Sequence, residues 1–281
     1  MKLNAYWRLM RFDKPVGTLL LWMPTAWALW LANQGVPPLN LFIWFLLGTF
    51  IMRAAGCVVN DICDRNIDKH VTRTKQRPLT AGELSLKEAL IVLFVLLVLA
   101  LFIVLQLPFQ CLYYAIAALG ITFIYPLCKR FFQAPQLILG LAFSMAIPMA
   151  YVASGVAFNE ITIMLVLLNT AWIISYDTMY AMVDRTDDLQ IGVRSTAILF
   201  ASLDRYIIML LQLFIHTIWL AVGIKIHATI GFYIFWCMGG LILIYQQLLV
   251  NTRSESRCFK AFLSNVRYGA FLWLGLIIQF M

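Results

Sequence analysis

The sequence predicts an all-α membrane protein with about nine transmembrane helices and a cytoplasmic N-terminus. Two observations lead to this prediction: the composition, and the way that apolar and basic residues are distributed along the chain. Of the 281 residues, 63% are hydrophobic and only 12% are charged, and the mean hydropathy is +0.86. This composition is typical of a membrane protein.

Nine segments are apolar enough to cross a bilayer, which takes about 20 mostly apolar residues. They cover 16–33, 41–60, 87–106, 109–127, 135–156, 161–182, 206–224, 229–250 and 261–281. Because these segments use most of the chain, no separate soluble domain fits between them. We therefore predict one transmembrane domain over residues 1–281.

The net charge of +8 raises the question of a nucleic-acid partner, but the placement of the charges argues against one. Nearly all of the 21 lysines and arginines fall at the N-terminus or in loops on the same side, apart from Lys225 in an opposite loop and Arg53 inside a span. This bias marks the cytoplasmic side. Glu160 is the only acidic residue predicted in an opposite loop, so we expect the chemistry to face the cytoplasm. Because no Arg- and Ser-rich transit peptide precedes the first span, we expect a bacterial inner membrane.

The first acidic segment, "NDICDRNID" (60–68), follows the end of the second predicted span. If this segment is helical, its four-residue spacing puts Asn60, Asp64 and Asp68 on one face, with Asp61 about 100° away. A long loop over about 61–86 follows, and its basic residues suit phosphate oxygens.

The second acidic segment follows the sixth predicted span. Tyr180, Asp184 and Asp188 have the same four-residue spacing. Asp177, two turns before Asp184, lies on the same helix face, whereas Asp187 does not. "DRNID" (64–68) and "DRTDD" (184–188) share the pattern D-R-x-x-D on the same membrane side. We interpret this likeness as a weak internal repeat, an arrangement that often places a site between the repeats.

Closely spaced carboxylates repel one another, and a hard divalent cation removes that penalty. Mg²⁺ keeps several waters and binds through one or two carboxylates together with phosphate oxygens. Two acidic helix ends facing each other would therefore hold a metal-bound diphosphate, with lysine and arginine side chains on the remaining oxygens. The alternative is that these acids are solvated loop charges.

Further charged residues fall near the same side. Asp177 and Arg53 lie within predicted spans, where ionisable groups are usually functional. The alternative for Arg53 is that it extends to the interface or forms a pair within its own helix. Lys129 and Arg130 lie in "YPLCKRFFQAPQ" (125–136), which is either a cationic rim for an anionic substrate or an ordinary cytoplasmic loop.

Two stretches carry a resemblance to a known family. "MRAAGCVVNDICDRNIDKHVTRTKQRPLTAG" (52–82) and "YDTMYAMVDRTDDLQIGVRSTAI" (176–198) closely resemble the two signature regions of the UbiA superfamily of intramembrane prenyltransferases. "RFDKPVGTLLLWMPTAWAL" (11–29) and "YPLCKRFFQAPQLILGLAFSMAIPMA" (125–150) resemble its ubiquinone-pathway branch, whose acceptor is 4-hydroxybenzoate. The resemblance extends to about residue 205, and the last three spans add little beyond apolarity.

The resemblance implies nine helices around a central cavity, with the acidic motifs at its cytoplasmic end. It implies that a polyprenyl diphosphate binds there through Mg²⁺, loses diphosphate, and is attacked by the acceptor ring carbon ortho to the hydroxyl. The implied metal ligands are Asn60, Asp64, Asp184 and Asp188, with Asp68 close by. The expected catalytic residues are Asp64, Asp68, Asp184, Asp188 and Arg130. The expected substrate-binding residues are Arg53, Arg65, Lys129, Arg130, Asp177 and Tyr180.

Other functions remain open from the sequence. Within the superfamily, the menaquinone and haem O branches use other acceptors. A divalent-cation transporter would also place acids in the membrane, but typically near the midplane and on broken helices. A CDP-alcohol phosphotransferase is disfavoured because we find no D-G-x-x-A-R core in the chain.

Overall fold

The computed structural model describes residues 2–281, and regular secondary structure within this range is entirely helical. The helices are α1 Lys2–Leu9, α2 Val16–Asn33, α3 Leu39–Asp64, α4 Leu86–Val104, α5 Cys111–Cys128, α6 Pro135–Ser144, α7 Ala146–Ala153, α8 Glu160–Ile191, α9 Thr196–Phe200, α10 Asp204–Lys225, α11 Ile230–Val250 and α12 Glu255–Gln279. Two short 3-10 helices, Asp68–His70 and Ala201–Leu203, lie in the loops.

Helices suit this chain because a backbone in lipid must satisfy its own hydrogen bonds. Several helices begin at side chains that cap the first turn. Ser85 and Glu88 form a capping box at the start of α4, and Asn159 and Thr162 form one at α8. α8 ends at Ile191 and is capped by Gly192, whose positive φ of 71° favours glycine.

The prediction of a multi-pass membrane protein is confirmed. Eight helical stretches are long and apolar enough to cross a bilayer, counting α6 with α7 and α9 with α10 as single stretches. The predicted first span coincides with α2 but is not among these eight. The total of nine spans and the cytoplasmic N-terminus therefore stay predictions.

Two of the predicted spans match membrane-length stretches but differ from them in detail near the site. α8 continues to Ile191, beyond the predicted end of its span at 182, so the whole second acidic segment through Asp188 is helical. The predicted span 135–156 is two helices, α6 and α7, separated at Met145. Met145 is a turn residue, whose N–H donates to the Ala142 carbonyl and whose carbonyl accepts from the Met149 N–H, both at 3.4 Å.

α2 is the inner helix of the bundle, and its residues are buried from Leu20 to Ala32. Trp27 is fully buried, and its ring centroid lies 5.1 Å from that of Trp172 and 5.0 Å from that of Trp219. Its indole N–H donates to the Gly269 carbonyl at 3.1 Å. This aromatic core ties α2 to α8, α10 and α12.

Candidate active site

A cavity of about 1210 Å³ opens beside α2. Its walls come from α2 to α8, the N-terminal part of α12, and the segments that precede α2, follow α3 and follow α8. α10 and α11 contribute none of the described lining residues, so the cavity does not lie at the centre of all the helices. One part is apolar, with Leu101, Val104 and Leu119 in its wall, and the other part holds most of the charged residues predicted above.

The prediction that Asn60, Asp64 and Asp68 share one helix is wrong. α3 ends at Asp64, and Asp68 begins a separate 3-10 turn. The Thr74 hydroxyl donates to the Asp68 carbonyl at 3.0 Å, which satisfies an oxygen that a continuing helix would have used. All three residues nevertheless line the cavity, so a turn brings Asp68 to the place where a helix was expected to put it.

Asp61, which the helical spacing placed off the predicted face, also lines the cavity and is only 1% exposed. The Arg11 guanidinium donates to both of its oxygens, at 2.7 and 2.8 Å. Nη1 of Arg77 lies 3.1 Å from Asp61 and 2.7 Å from Asp68. Asp61 therefore links the segment before α2 to the first acidic cluster.

Lys129 lies just beyond the end of α5 and reaches the first cluster. Its ammonium donates to Asn60 Oδ1 at 2.9 Å and to Asp64 Oδ2 at 2.8 Å. The other oxygen of Asp64, Oδ1, is buried and has no hydrogen-bond partner among the described residues. Leaving a buried carboxylate oxygen without a hydrogen-bond partner costs free energy, so this oxygen is available to bind a further ligand.

The second acidic cluster lies on α8 as predicted. Asp177, Tyr180, Asp184 and Asp188 line the cavity. Asp187 is outside the lining, and its Oδ2 accepts from the Thr72 backbone N–H at 2.8 Å. Four-residue spacing thus separated the cavity-facing acids from the one that faces away.

Arg73 joins the second cluster to the loop after α3. Its Nε donates to Asp184 Oδ1 at 2.9 Å, and its guanidinium carbon lies 4.5 Å from the centroid of the Tyr180 ring. A cation over an aromatic face is held without losing its charge. The two acidic clusters therefore face the same space, with the cations Arg73, Arg77 and Lys129 between them.

The protonation states at this end reflect burial and neighbouring charges. Burial raises the pKa of the Asp68 carboxyl above its ordinary value, and Asp61 and Asp64 add to that effect while Arg77 opposes it. Burial alone would lower the pKa of Arg77, but Asp61 and Asp68 hold it above its ordinary value. For Lys129, Tyr125 and Asp64 likewise outweigh burial and raise the pKa. The cations are therefore fully charged at neutral pH.

Arg53 lies deeper in the cavity than Asn60, because it precedes Asn60 by two turns of α3, about 10 Å along the axis. Its Nε is buried and has no partner among the described residues. A Cβ at Gly17 would come within 2.2 Å of its Nη2. Gly17 therefore leaves the space in which the guanidinium lies.

Arg130 and Arg65 are not brought into the cavity. Both side chains are exposed, and Arg130 donates to the Cys63 carbonyl at 3.0 Å while Arg65 donates to the Ile62 carbonyl at 3.2 Å. Their expected contacts with substrate stay predictions. Both residues contact the end of α3, close to the first cluster.

The oxygen donors of the cavity suit an Mg²⁺ ion that takes its remaining ligands from phosphate and water. Within residues 2–281, no three Asp, Glu, His or Cys side chains converge closely enough to enclose a metal by themselves. The cavity instead offers an amide oxygen from Asn60, an unpaired oxygen of Asp64 and the carboxylates of Asp184 and Asp188. Hard oxygen donors of this kind suit Mg²⁺ that also keeps waters and binds phosphate oxygens.

The model of the UbiA prenyltransferase family matches residues 21–275. The chain belongs to this family. The curated relatives of this prenyltransferase include 4-hydroxybenzoate octaprenyltransferase of Legionella pneumophila strain Lens, which is 58% identical over 97% of this chain and 96% of that protein. The same name is given to proteins of Pseudoalteromonas translucida, 47% identical over 98% and 94%, and Yersinia pseudotuberculosis, 46% identical over 99% and 97%.

Solved structures share the fold of this UbiA prenyltransferase. An apo UbiA homologue from Aeropyrum pernix has a TM-score of 0.81 at 20% identity and covers 94% of this chain and 98% of that one. A homologue from Archaeoglobus fulgidus, solved with GPP and Mg²⁺, has a TM-score of 0.72 at 20% identity and covers 95% and 99%. The resemblance to the UbiA superfamily and the all-α membrane fold are thereby confirmed.

Sequence reasoning did not single out Arg11, Asp61, Arg73 and Arg77 as site residues. Arg11 precedes Asp61 by 50 positions, and Arg73 precedes Asp184 by 111. A pattern within one segment does not reveal such pairs. For Arg73 and Arg77, the signal was the cluster of basic residues after the first motif, which indicated a phosphate site without showing which side chains face it.

Proposed function

We propose that this UbiA prenyltransferase transfers a polyprenyl group from polyprenyl diphosphate to 4-hydroxybenzoate, at the ring carbon ortho to the hydroxyl. The observation that carries the proposal is the identity of 46–58% with proteins named 4-hydroxybenzoate octaprenyltransferase, over nearly the whole of each chain. The cavity supports it, since a charged end and an apolar part suit the two ends of a prenyl diphosphate.

Mg²⁺ is the proposed cofactor, and Asn60, Asp64, Asp184 and Asp188 are the proposed ligands, with Asp68 nearby. The unpaired Oδ1 of Asp64 and the absence of a self-sufficient carboxylate cage among residues 2–281 support a metal shared with the diphosphate. When bound, the metal supplies positive charge that stabilises the leaving diphosphate. The Archaeoglobus homologue was solved with GPP and Mg²⁺, which supports Mg²⁺ as the cofactor.

The cations of the cavity take the diphosphate oxygens in this proposal. Arg73, Arg77 and Lys129 are each paired with a carboxylate of the first or second cluster. A diphosphate brings its own negative charge, so it can replace carboxylates as the partner of these side chains. The carboxylates are then released for the metal. Arg73 and Arg77 can offer two parallel N–H groups to one phosphate, whereas Lys129 acts as a point charge.

The apolar part of the cavity takes the prenyl chain. Its wall on α4 and α5 consists mainly of leucine, isoleucine, valine and alanine side chains, which carry no nucleophile that would capture an allylic cation. Excluding water from this space protects the reactive carbon until the aromatic ring attacks it. Tyr180 and Asp177 line the cavity between the charged end and α6, and we propose that they contact the substrates there.

For the acceptor carboxylate, the structure favours Arg53 over Arg130. Arg53 lines the cavity with an unpaired Nε, whereas Arg130 is exposed and bound to the Cys63 carbonyl. Arg53→Lys should therefore raise the KM for 4-hydroxybenzoate by roughly tenfold or more, because a charge-assisted contact is worth about 1.5–3 kcal/mol. If only Arg130→Lys raises that KM, the carboxylate site lies at the end of α5 instead.

The protein is a multi-pass membrane protein. We propose the bacterial inner membrane as its location, with the charged end of the cavity toward the cytoplasm. The bias of lysine and arginine toward that side supports this orientation. It also places the cavity mouth where a soluble aromatic acid and Mg²⁺ are both available.

The experiment uses membranes containing the protein, octaprenyl diphosphate and Mg²⁺, with product identified by mass spectrometry. 4-Hydroxybenzoate should be prenylated ortho to its hydroxyl. 1,4-Dihydroxy-2-naphthoate and haem B, the acceptors of other branches, should react at least about a hundredfold more slowly, since a site built for one acceptor's polar groups rejects a mismatched one strongly. Faster reaction of either alternative acceptor would overturn the assignment of 4-hydroxybenzoate.

A further inference from the structure

The second acidic cluster stands on a part of α8 that has little apolar support. The buried residues of α8 end at Met182, and the turns that carry Asp184 and Asp188 are half-buried or exposed. Helix ends without burial fray easily. Another contact must hold these turns if the two carboxylates are to stay aimed at the cavity.

Two polar contacts from the loop after α3 reach these turns. Arg73 binds Asp184, and the Thr72 N–H binds Asp187. Under the proposed function, Asp184 exchanges Arg73 for metal, so the stronger of these contacts is lost when the substrate binds. The Arg73–Asp184 contact therefore does not hold the end of α8 when the substrate and metal are bound.

Arg185 provides a contact that the substrate does not disturb. It is absent from the cavity lining, and its guanidinium forms a salt bridge with Asp204 at the start of α10. Asp204 is completely buried. It also accepts from Arg253, with Nη2 at 2.8 Å from Oδ1, and from the Arg205 backbone N–H at 2.6 Å. Asp204 thus joins α8, α10 and the loop between α11 and α12.

We infer that Asp204 and Arg185 are positioning residues, which hold the cytoplasmic end of α8 so that Asp184 and Asp188 reach the metal and the diphosphate. This inference rests on the proposed function. It assigns a role to the arginine of "DRTDD", whose counterpart Arg65 in "DRNID" is exposed. It also gives α10 and the α11–α12 loop, which lie outside the cavity wall, a part in the reaction.

Arg253 provides a matched control, because Arg185 and Arg253 each contribute one salt bridge to the same carboxylate. Arg253 donates to Asp204 and to the Ser202 carbonyl, and it makes no hydrogen bond or salt bridge with a described residue of α8. Arg185→Gln and Arg253→Gln should both lower the thermal stability. Only Arg185→Gln should weaken the metal site, by roughly ten- to a hundredfold, which is the usual effect of losing a group that orients a metal ligand.

The metal site is measured in two ways on the full-length protein in nanodiscs. The first is the binding of Mn²⁺ in the presence of geranyl thiodiphosphate, followed by electron paramagnetic resonance. The second is the Mg²⁺ concentration that gives half-maximal turnover. Arg253→Gln should stay within about twofold of the unmodified protein in both. If Arg185→Gln does not fold, Arg185→Lys, which keeps the charge but loses the planar fork, should show the same loss to a smaller degree.

Equal weakening of metal binding by Arg185→Gln and Arg253→Gln would overturn the inference, because it would show a structural effect only. Unchanged metal binding in a folded Arg185→Gln protein would overturn it as well. The Mn²⁺ titration involves no aromatic acceptor, so it remains decisive even if 4-hydroxybenzoate is not the substrate. Failure of the proposed function would appear separately, as absence of prenylated 4-hydroxybenzoate from the unmodified protein.

Discussion

Gly17 and Arg53 show how a missing side chain shapes the cavity. A Cβ at Gly17 would come within 2.2 Å of Arg53 Nη2. The guanidinium is the far end of a flexible side chain, so it can move aside and the fold should survive. Gly17→Ala should therefore raise the KM for 4-hydroxybenzoate by roughly three- to tenfold, because the cation is displaced from its acceptor-binding position. Steady-state kinetics with each substrate varied in turn would check this.

Gly120→Ala is the matched control for that substitution. Gly120 lies in α5, and a Cβ there would meet no atom within 4 Å. The control should leave both KM values unchanged and could stabilise the helix slightly. A normal KM for 4-hydroxybenzoate in a folded Gly17→Ala protein would argue that Arg53 does not bind the acceptor.

Asp187 and Asp188 are neighbours in sequence with different surroundings. Asp188 lines the cavity, whereas Asp187 lies outside the lining and accepts from the Thr72 N–H. Asp188→Asn should lower turnover by at least about tenfold more than Asp187→Asn, because only the former removes a proposed metal ligand. Turnover and the Mg²⁺ requirement of both variants, measured in the same membranes, test this order. The reverse order would mean that the ligands on α8 are wrongly assigned.

At the scale of helices, the two acidic segments differ although their sequences are alike. The second segment is helical throughout, so Tyr180, Asp184 and Asp188 share a face as the spacing predicted. The first segment leaves the helix after Asp64. Its Asp68 is instead held by Arg77 and by the Thr74 hydroxyl. No glycine or proline marks that break, so local propensity did not reveal it and tertiary pairing decided the outcome.

The loop after α3 therefore has one basic residue that organises the first cluster and others that do not. Arg77 contacts both Asp61 and Asp68, whereas Lys75 is exposed and its side chain makes no hydrogen bond or salt bridge among the described residues. Arg77→Gln should raise the KM for the prenyl diphosphate by roughly tenfold or more, since a phosphate contact and the placement of Asp68 are lost together. Lys75→Gln should change it by less than about twofold. Equal effects of the two substitutions on that KM would contradict a specific role for Arg77.

At the scale of the whole molecule, hydropathy was enough to predict the membrane fold. Long apolar runs fix helices in lipid whatever their tertiary partners, so eight predicted spans match helices of sufficient length and apolarity. The cavity and its ion pairs were not predictable in this way. Arg11–Asp61 and Lys129–Asp64 join positions far apart in the chain, and their pairing depends on how the helices pack.

Chelation tests the metal across the whole molecule. EDTA should abolish product formation, and Mg²⁺ added in excess should restore it. The reason is that the metal supplies positive charge to the leaving diphosphate, which the lysine and arginine side chains, already paired with carboxylates, do not replace. The unfolding temperature should change little on chelation, since the carboxylates are already paired with arginine and lysine in this structure. Full activity after exhaustive chelation would contradict the assignment of Mg²⁺ as cofactor.

The central claim is that both acidic clusters act on one metal-bound diphosphate. The most direct measurement is turnover of Asp64→Ala and Asp184→Ala in membranes, each checked for folding by its thermal unfolding in detergent. We predict that each substitution lowers turnover by at least about a hundredfold, because no neighbouring group replaces the lost stabilisation of the leaving diphosphate. Near-normal turnover in both folded variants would contradict the claim.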